Sequence, residues 1–124
     1  MILVDTSVWV DHLRRDNPAL RRLLDDATVA GHSFVIGELA CDTLRNRDVI
    51  LEMLADLACT PVAGDAEVLA LIASQGLMGR GLGWVDVHLL ASALLGGAEL
   101  WTRDRPLDDA ARRCGIRYDA SRDS

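Results

Sequence analysis

GLGWVDVHLLASALLGGAELWTRD, residues 81–104, decides the fold class. It opens on the end of a glycine-rich loop, Met78–Gly83, that carries one arginine. Val85–Leu95 is then apolar almost all round, so the spacing predicts a helix buried on every side. Glu99–Thr102 predicts a strand. Asp86 falls near the start of the helix and Asp104 just past the strand. The start of the chain repeats the pattern of an acid just past an apolar strand. In MILVDTSVWVD, residues 1–11, Ile2, Leu3 and Val4 are apolar in succession, as in a central parallel strand. Met1–Asp5 therefore predicts a short buried strand that ends on an acid. Thr6 or Ser7 can cap the helix Val8–Arg14.

Working outward, Asn17-Pro18 is a helix start, with a capping residue followed by proline at the first helical position. Leu20, Leu23, Leu24 and Ala27 recur on one helical face. Gly31–Phe34 predicts a turn with a very short strand, and Val35–Thr43 a helix carrying Glu38. Asp48 is the expected cap of a helix with Ile50, Leu51, Leu54 and Leu57 inward. Thr60–Ala63 is a brief strand, and Asp65–Gln75 a helix stopped by Gly76. Pro106–Cys114 is a helix ended by Gly115, Ile116–Tyr118 a last strand, and 119–124 a flexible tail. Short strands alternating with helices predict an α/β fold: a mostly parallel central sheet of four to five strands between two helical layers. In such sheets ligands lie beyond the carboxyl ends of the strands. Asp5 and Asp104 fall at that rim.

The chain has 124 residues, half of them hydrophobic, which suits one domain over residues 1–124. No apolar run approaches a membrane span and no secretory signal precedes Asp5, so a cytoplasmic protein is expected. Cys41, Cys59 and Cys114 are odd in number and far apart. That argues against a zinc site or a disulfide framework and for buried reduced thiols. The net charge is −6, and all thirteen basic residues are arginine. Such a surface disfavours tight non-specific binding to phosphate backbones. It suits an acidic cluster that binds cations, whose charge then reverses the local sign.

Four acids stand apart by context: Asp5 after its strand, Glu38 inside VIGELA, Asp86 in the apolar helix and Asp104 after LWTR. Singly, Asp5 and Asp104 read equally well as helix caps, and Asp86 as a favourable charge at a helix N-terminus. Glu38 has no such local use. Together, four acids compatible with one end of one sheet repel unless cations lie between them. Oxygen ligands without cysteine or paired histidine point to Mg²⁺ or Mn²⁺.

MILVDTSVWVD, the embedded Glu38, GLGWVDVHLLASALL and LWTRD, in this order, resemble the motifs of PIN-domain ribonucleases. They resemble most closely the VapC-type toxins of prokaryotic toxin–antitoxin pairs. The resemblance runs from Met1 to about Leu107 and is silent over residues 40–64. It implies a three-layer α/β/α PIN-like domain and a metal-dependent endoribonuclease leaving 5′-phosphate and 3′-hydroxyl ends. Carried over by position, Asp5, Asp86 and Asp104 are the metal ligands, and Glu38 completes the catalytic set. A cognate VapB-type antitoxin and a homodimer are implied as partners.

Thr6, Ser7 and Thr102 are small hydroxyls beside these acids, placed to support them. Arg80, Arg103 and Arg105 are candidate contacts to RNA phosphates, set against ordinary solvated arginines. His88 lies two positions after Asp86 and so off its helical face, which favours a packed or surface histidine over a base or ligand. His12 and His32 have no chemical context in the sequence, and Asp11 reads as helix surface. Trp9, Trp84 and Trp101 are expected in the core, although Trp9 with Val10 and Leu13 also fits an apolar strip for a partner helix. A receiver domain needs a lysine that the chain lacks. A haloacid-dehalogenase-like phosphatase needs an acid where Ser7 stands. A PIN fold that binds RNA or protein without cutting is the remaining alternative.

Overall fold

A computed structural model describes the backbone of residues 1–123 and the side chains of residues 1–121. The central strand is β1 (Ile2–Val4), flanked by β2 (Val29–Ala30) and β3 (Glu99–Trp101) in the order β2-β1-β3, all parallel. Ile2 lies opposite both Val29 and Glu99, and Val4 opposite Trp101. All three residues of β1 are buried, as an apolar run flanked on both sides requires.

The expected four to five strands are three. The outer two shrink to single parallel bridges, Gly31 to Cys59 and Leu100 to Arg117. On one edge the Gly31 N–H donates to Ala58 and Thr60 N–H donates to Gly31, at 2.8 and 3.0 Å. Pro61 follows and has no N–H to extend a ladder, so Thr60–Ala63 never becomes a strand. On the other edge Leu100 N–H donates to Ile116 and Tyr118 N–H to Leu100. The chain then turns at Asp119, whose Oδ1 accepts from Ser121 N–H at 3.0 Å and Ser121 Oγ at 2.6 Å. A 3₁₀ turn over Ala120–Asp123 opens the segment expected as a tail, and Ala120 packs on the core. Position 124 lies outside the described residues.

The described residues also form seven α-helices: α1 (Thr6–Arg15), α2 (Pro18–Asp25), α3 (Ser33–Ala40), α4 (Arg47–Ala55), α5 (Asp65–Gln75), α6 (Trp84–Gly96) and α7 (Arg105–Arg113). Val87 to Ala93 of α6 are buried as expected, but Leu94 and Leu95 near its end are exposed. Asn17 caps α2 as expected, its Oδ1 accepting from Ala19 and Leu20 N–H. Asp48 does not cap α4. That helix starts earlier, at Arg47, behind Asn46 in the left-handed conformation, and Asp48 lies in its first turn.

Trp9 is fully buried and Trp101 nearly so, its ring 5.2 Å from Tyr118. Trp9 is therefore core, and no apolar strip for a partner includes it. Trp84 departs from the expected core position and is 44% exposed. The first residue of a helix that leaves a surface loop has only part of its environment covered. The thiols are free, but not buried as expected: Cys41 and Cys59 are exposed and Cys114 is half-buried. Among the described residues, no helix is long and apolar enough to cross a membrane.

Candidate active site

Asp5 extends the β1–β3 ladder by one bond, its N–H donating to Trp101 O at 2.9 Å. The chain then enters α1, so Asp5 occupies the cap position by backbone while its side chain makes no capping bond. Its carboxylate is held by hydroxyls instead. Oδ2 accepts from Ser7 Oγ and from Thr102 Oγ1, each at 2.7 Å. Those hydroxyls are themselves fixed by the turn after β3: Arg103 N–H donates to Ser7 Oγ at 2.9 Å and Asp104 N–H to Thr102 Oγ1 at 3.0 Å. Both bonds fall on Oδ2, which leaves the other oxygen of this 7%-exposed carboxylate without a side-chain donor among the described residues.

Thr6 Oγ1 donates to Glu38 Oε1 at 2.7 Å and brings α3 to the start of α1. The apolar neighbours of Glu38 face inward, with Val35 and Leu39 buried, while Glu38 itself is exposed. Asp86 stands third in α6 and reaches back to Gly83, whose N–H donates to Oδ2 at 2.9 Å. Asp104 caps α7, its Oδ2 accepting from Leu107 N–H at 3.2 Å. Burial raises the Asp86 carboxyl above the ordinary carboxylate value; the Gly83 N–H pulls it back, and the charges of Asp104 and Asp5 push it up again. Asp86 thus feels the charges of Asp104 and Asp5, while Glu38 is tied by Thr6 to the residue next to Asp5.

No arginine or histidine among the described residues forms an ion pair with any of the four. Clustered carboxylates without a protein cation fit a bound divalent cation, and an all-oxygen set fits Mg²⁺ or Mn²⁺ in kind. The side chains are not gathered for it. Among the described residues, no three such groups converge closely enough to hold one ion. The cause is local: Asp86 and Asp104 each turn one oxygen onto a backbone N–H at the start of their own helix.

The supporting hydroxyls are where the sequence suggested, but with divided duties. Ser7 and Thr102 bond Asp5, whereas Thr6 bonds Glu38. The arginines are mostly engaged elsewhere. Arg103 pairs with Asp11. Arg80 Nε donates to Gly76 O at 2.8 Å and closes the end of α5. Arg105 is exposed and in no ion pair among the described residues. Asp11 is only 15% exposed and accepts from Asn17 as well. Burial pushes its carboxyl up, but bonds from Arg103 and Asn17 and the charges of Arg103 and Arg15 outweigh it and hold it below the ordinary value.

Of the packed and surface placements expected for it, His88 takes the packed one. It is 2% exposed, its Nε2 meets Asp65 Oδ1 at 3.2 Å, and its ring stands edge-on to Phe34 and Trp84 at 4.9 Å from each. His12 Nδ1 accepts from Asn17 N–H at 3.0 Å and joins α1 to α2. His32 is what the sequence hid. α3 begins at Ser33, two residues before the expected start, so His32 is its cap. Histidine is not a usual cap, and no pattern marked it.

Burial lowers the His32 imidazole below its ordinary 6.5, and the charge of His88 adds to this. The unfolded chain takes up that proton as pH falls through 6.5 and the folded chain resists it. Stability is therefore expected to fall on that side of neutrality. Melting curves between pH 6.5 and about 5 should show a shallower loss in His32→Asn than in the unchanged protein.

Comparison with known proteins gives the family. Residues 2–113 match the PIN domain family. The chain is 50% identical over 117 residues, 94% of each chain, to "Ribonuclease VapC32" of Mycobacterium tuberculosis strain CDC 1551 / Oshkosh. The protein of the same name from strain ATCC 25618 / H37Rv matches equally. With the family pattern spanning β1 to α7 and the four acids standing at the rim of its sheet, the chain belongs to the PIN-domain family, in its VapC branch.

Proposed function

We propose that Asp5, Asp86 and Asp104 bind a divalent cation and, with Glu38, form the hydrolytic centre of an endoribonuclease toxin. The observation that carries this is the uncompensated acidic cluster, in which Asp86 is pushed up by burial and by Asp104 and Asp5. The chain's 50% identity to proteins named ribonuclease gives the substrate class. Mg²⁺ and Mn²⁺ both suit the donors. A cation bound there supplies charge neutralisation at the scissile phosphate and lowers the pKa of the attacking water.

The protein's own part is positioning. Ser7 and Thr102 hold one oxygen of Asp5 and so orient the other. Thr6 fixes Glu38 at the rim, where its carboxylate can orient the water or take its proton. Asp104 is anchored as the cap of α7 by one oxygen, which leaves the other for the cation. Of the three candidate arginines, Arg105 could meet a phosphate without giving up an ion pair, as Arg103 would, or a backbone hydrogen bond, as Arg80 would.

A VapB-type antitoxin that masks the acids follows from the VapC assignment, and its complement to a chain of charge −6 is a basic segment. A homodimer and a cytoplasmic site of action complete the reading. The test is the chemistry of the cut ends. Hydrolysis by an activated water leaves 5′-phosphates that ligate directly and free 3′-hydroxyls. Fragments with 2′,3′-cyclic phosphates and 5′-hydroxyls contradict the mechanism.

The hydroxyl cradle makes a separate prediction. Thr102→Val keeps the shape of a 6%-exposed side chain but removes a donor to Asp5. Losing such an outer partner typically costs about 10- to 100-fold in metal affinity or activity. Titration of Mn²⁺ into the variant, followed by cleavage assays, should show a loss of that order.

A further inference from the structure

His32 is fully buried, lies one residue outside α3, and uses both ring nitrogens. Nδ1 accepts from Phe34 N–H at 3.0 Å, so the ring proton sits on Nε2, which donates to Ser92 Oγ at 2.9 Å. Ser92 Oγ also accepts from Ala63 N–H at 3.1 Å, just before α5. One imidazole thus ties three segments together: the start of α3, the middle of α6 and the approach to α5.

We propose that His32 is a positioning residue for the acidic centre, because its bridge from the α3 cap to Ser92 sets the helix carrying Glu38 against the helix carrying Asp86. The inference rests on the proposed role of those acids. The choice of residue is its first support. Asn, Ser, Asp or Thr at this position would cap α3 with a short side chain and stop there. Imidazole has a second nitrogen on its far side, which reaches the next helix. The lever arms are its second support. Glu38 lies six residues past His32 and Asp86 six residues before Ser92. At 1.5 Å per residue, each acid sits roughly 9 Å along its own helix from the bridge. A tilt of about 10° at the bridge would then move a carboxylate by more than 1 Å, and errors of about 1 Å at a catalytic group cost on the order of 100-fold.

The test measures Mn²⁺ binding by electron paramagnetic resonance, kcat and KM for RNA, and melting temperature. It compares the unchanged protein with Asp86→Asn, His32→Asn, Ser92→Ala and Leu23→Ala. Leu23 is a core residue of α2 outside the bridge and serves as the control for lost stability alone. His32→Asn keeps a cap for α3 and breaks only the reach to Ser92. Its Mn²⁺ affinity is expected to drop about 10-fold and its kcat about 10- to 100-fold, with KM little changed. Ser92→Ala should follow it, and it decides the matter on the same readouts if His32→Asn does not fold. Leu23→Ala should lose melting temperature and keep its Mn²⁺ affinity. Bridge variants that bind Mn²⁺ and turn over like the unchanged protein would overturn the proposal. Undiminished Mn²⁺ binding by Asp86→Asn would instead overturn the site reading beneath it.

Discussion

Asp5→Asn is expected to remove RNA cleavage by at least about 1,000-fold, a loss of roughly 4 kcal/mol of transition-state stabilisation. The folded protein should survive. Asparagine has the shape of aspartate and keeps an oxygen able to accept from Ser7 and Thr102, the two donors that hold Asp5. What disappears is the negative charge that a cation needs and that Asp86 feels. Asp86 is pushed up partly by the charge of Asp5, so neutralising Asp5 relieves repulsion in the metal-free protein. Its melting temperature should therefore hold or rise while activity vanishes, the trade expected where a site is built from mutually repelling groups. Single-turnover cleavage and calorimetry on the same preparation check both halves. A variant inactive only because it has unfolded contradicts the account.

Trp9→Ala is expected to produce the largest loss of stability. Trp9 is fully buried in α1, one turn beyond Asp5, within the core that includes β1 and α6. Truncating a buried tryptophan to alanine costs about 3–5 kcal/mol, from lost apolar burial and the cavity left behind. Against a total stability of about 5–15 kcal/mol for an ordinary domain, that is roughly a fifth or more. Denaturant titration should show the midpoint falling with little change in slope. Trp9→Phe fills most of the space and should recover most of the loss. α1 also carries Thr6 and Ser7, so the alanine variant should weaken the cradle around Asp5 before it unfolds globally. A change below about 1 kcal/mol would mean that the packing around Trp9 is wrong.

The element order was legible in the sequence because periodicity and punctuation agreed. Gly76 and Gly115, both at positive φ, stop α5 and follow α7 as their positions implied. The apolar run of α6 showed the burial of Val87 to Ala93 but not the exposure of Leu94 and Leu95. The outer strands were not legible. A run such as Thr60–Ala63 looks like a strand by residue type, but whether it pairs depends on its neighbour and on Pro61, which cannot donate. Exposure at the ends of elements was equally hidden, and that is how Trp84 and two cysteines came out on the surface.

The site was readable where an acid stood against its surroundings. Asp5, Asp86 and Asp104 broke apolar or strand context, and Glu38 broke a helix. Their neighbours were readable only as residue types. That Thr6 serves Glu38 while Ser7 and Thr102 serve Asp5 depends on how α1 and α3 cross. Arg103 looked like a free cation beside an acid, yet its partner Asp11 lies one helix away in space. His32 gave no signal, because its meaning lies in reaching Ser92, sixty residues along the chain.

The most direct measurement is a cleavage assay on total RNA with the purified, antitoxin-free protein, stripped of metal and then given Mg²⁺ or Mn²⁺, beside Asp5→Asn. The account predicts discrete fragments that appear only with metal and are absent in the variant. Cleavage that persists without metal, or no cleavage by the folded protein under either ion, would contradict it, the second result favouring a PIN fold that binds without cutting.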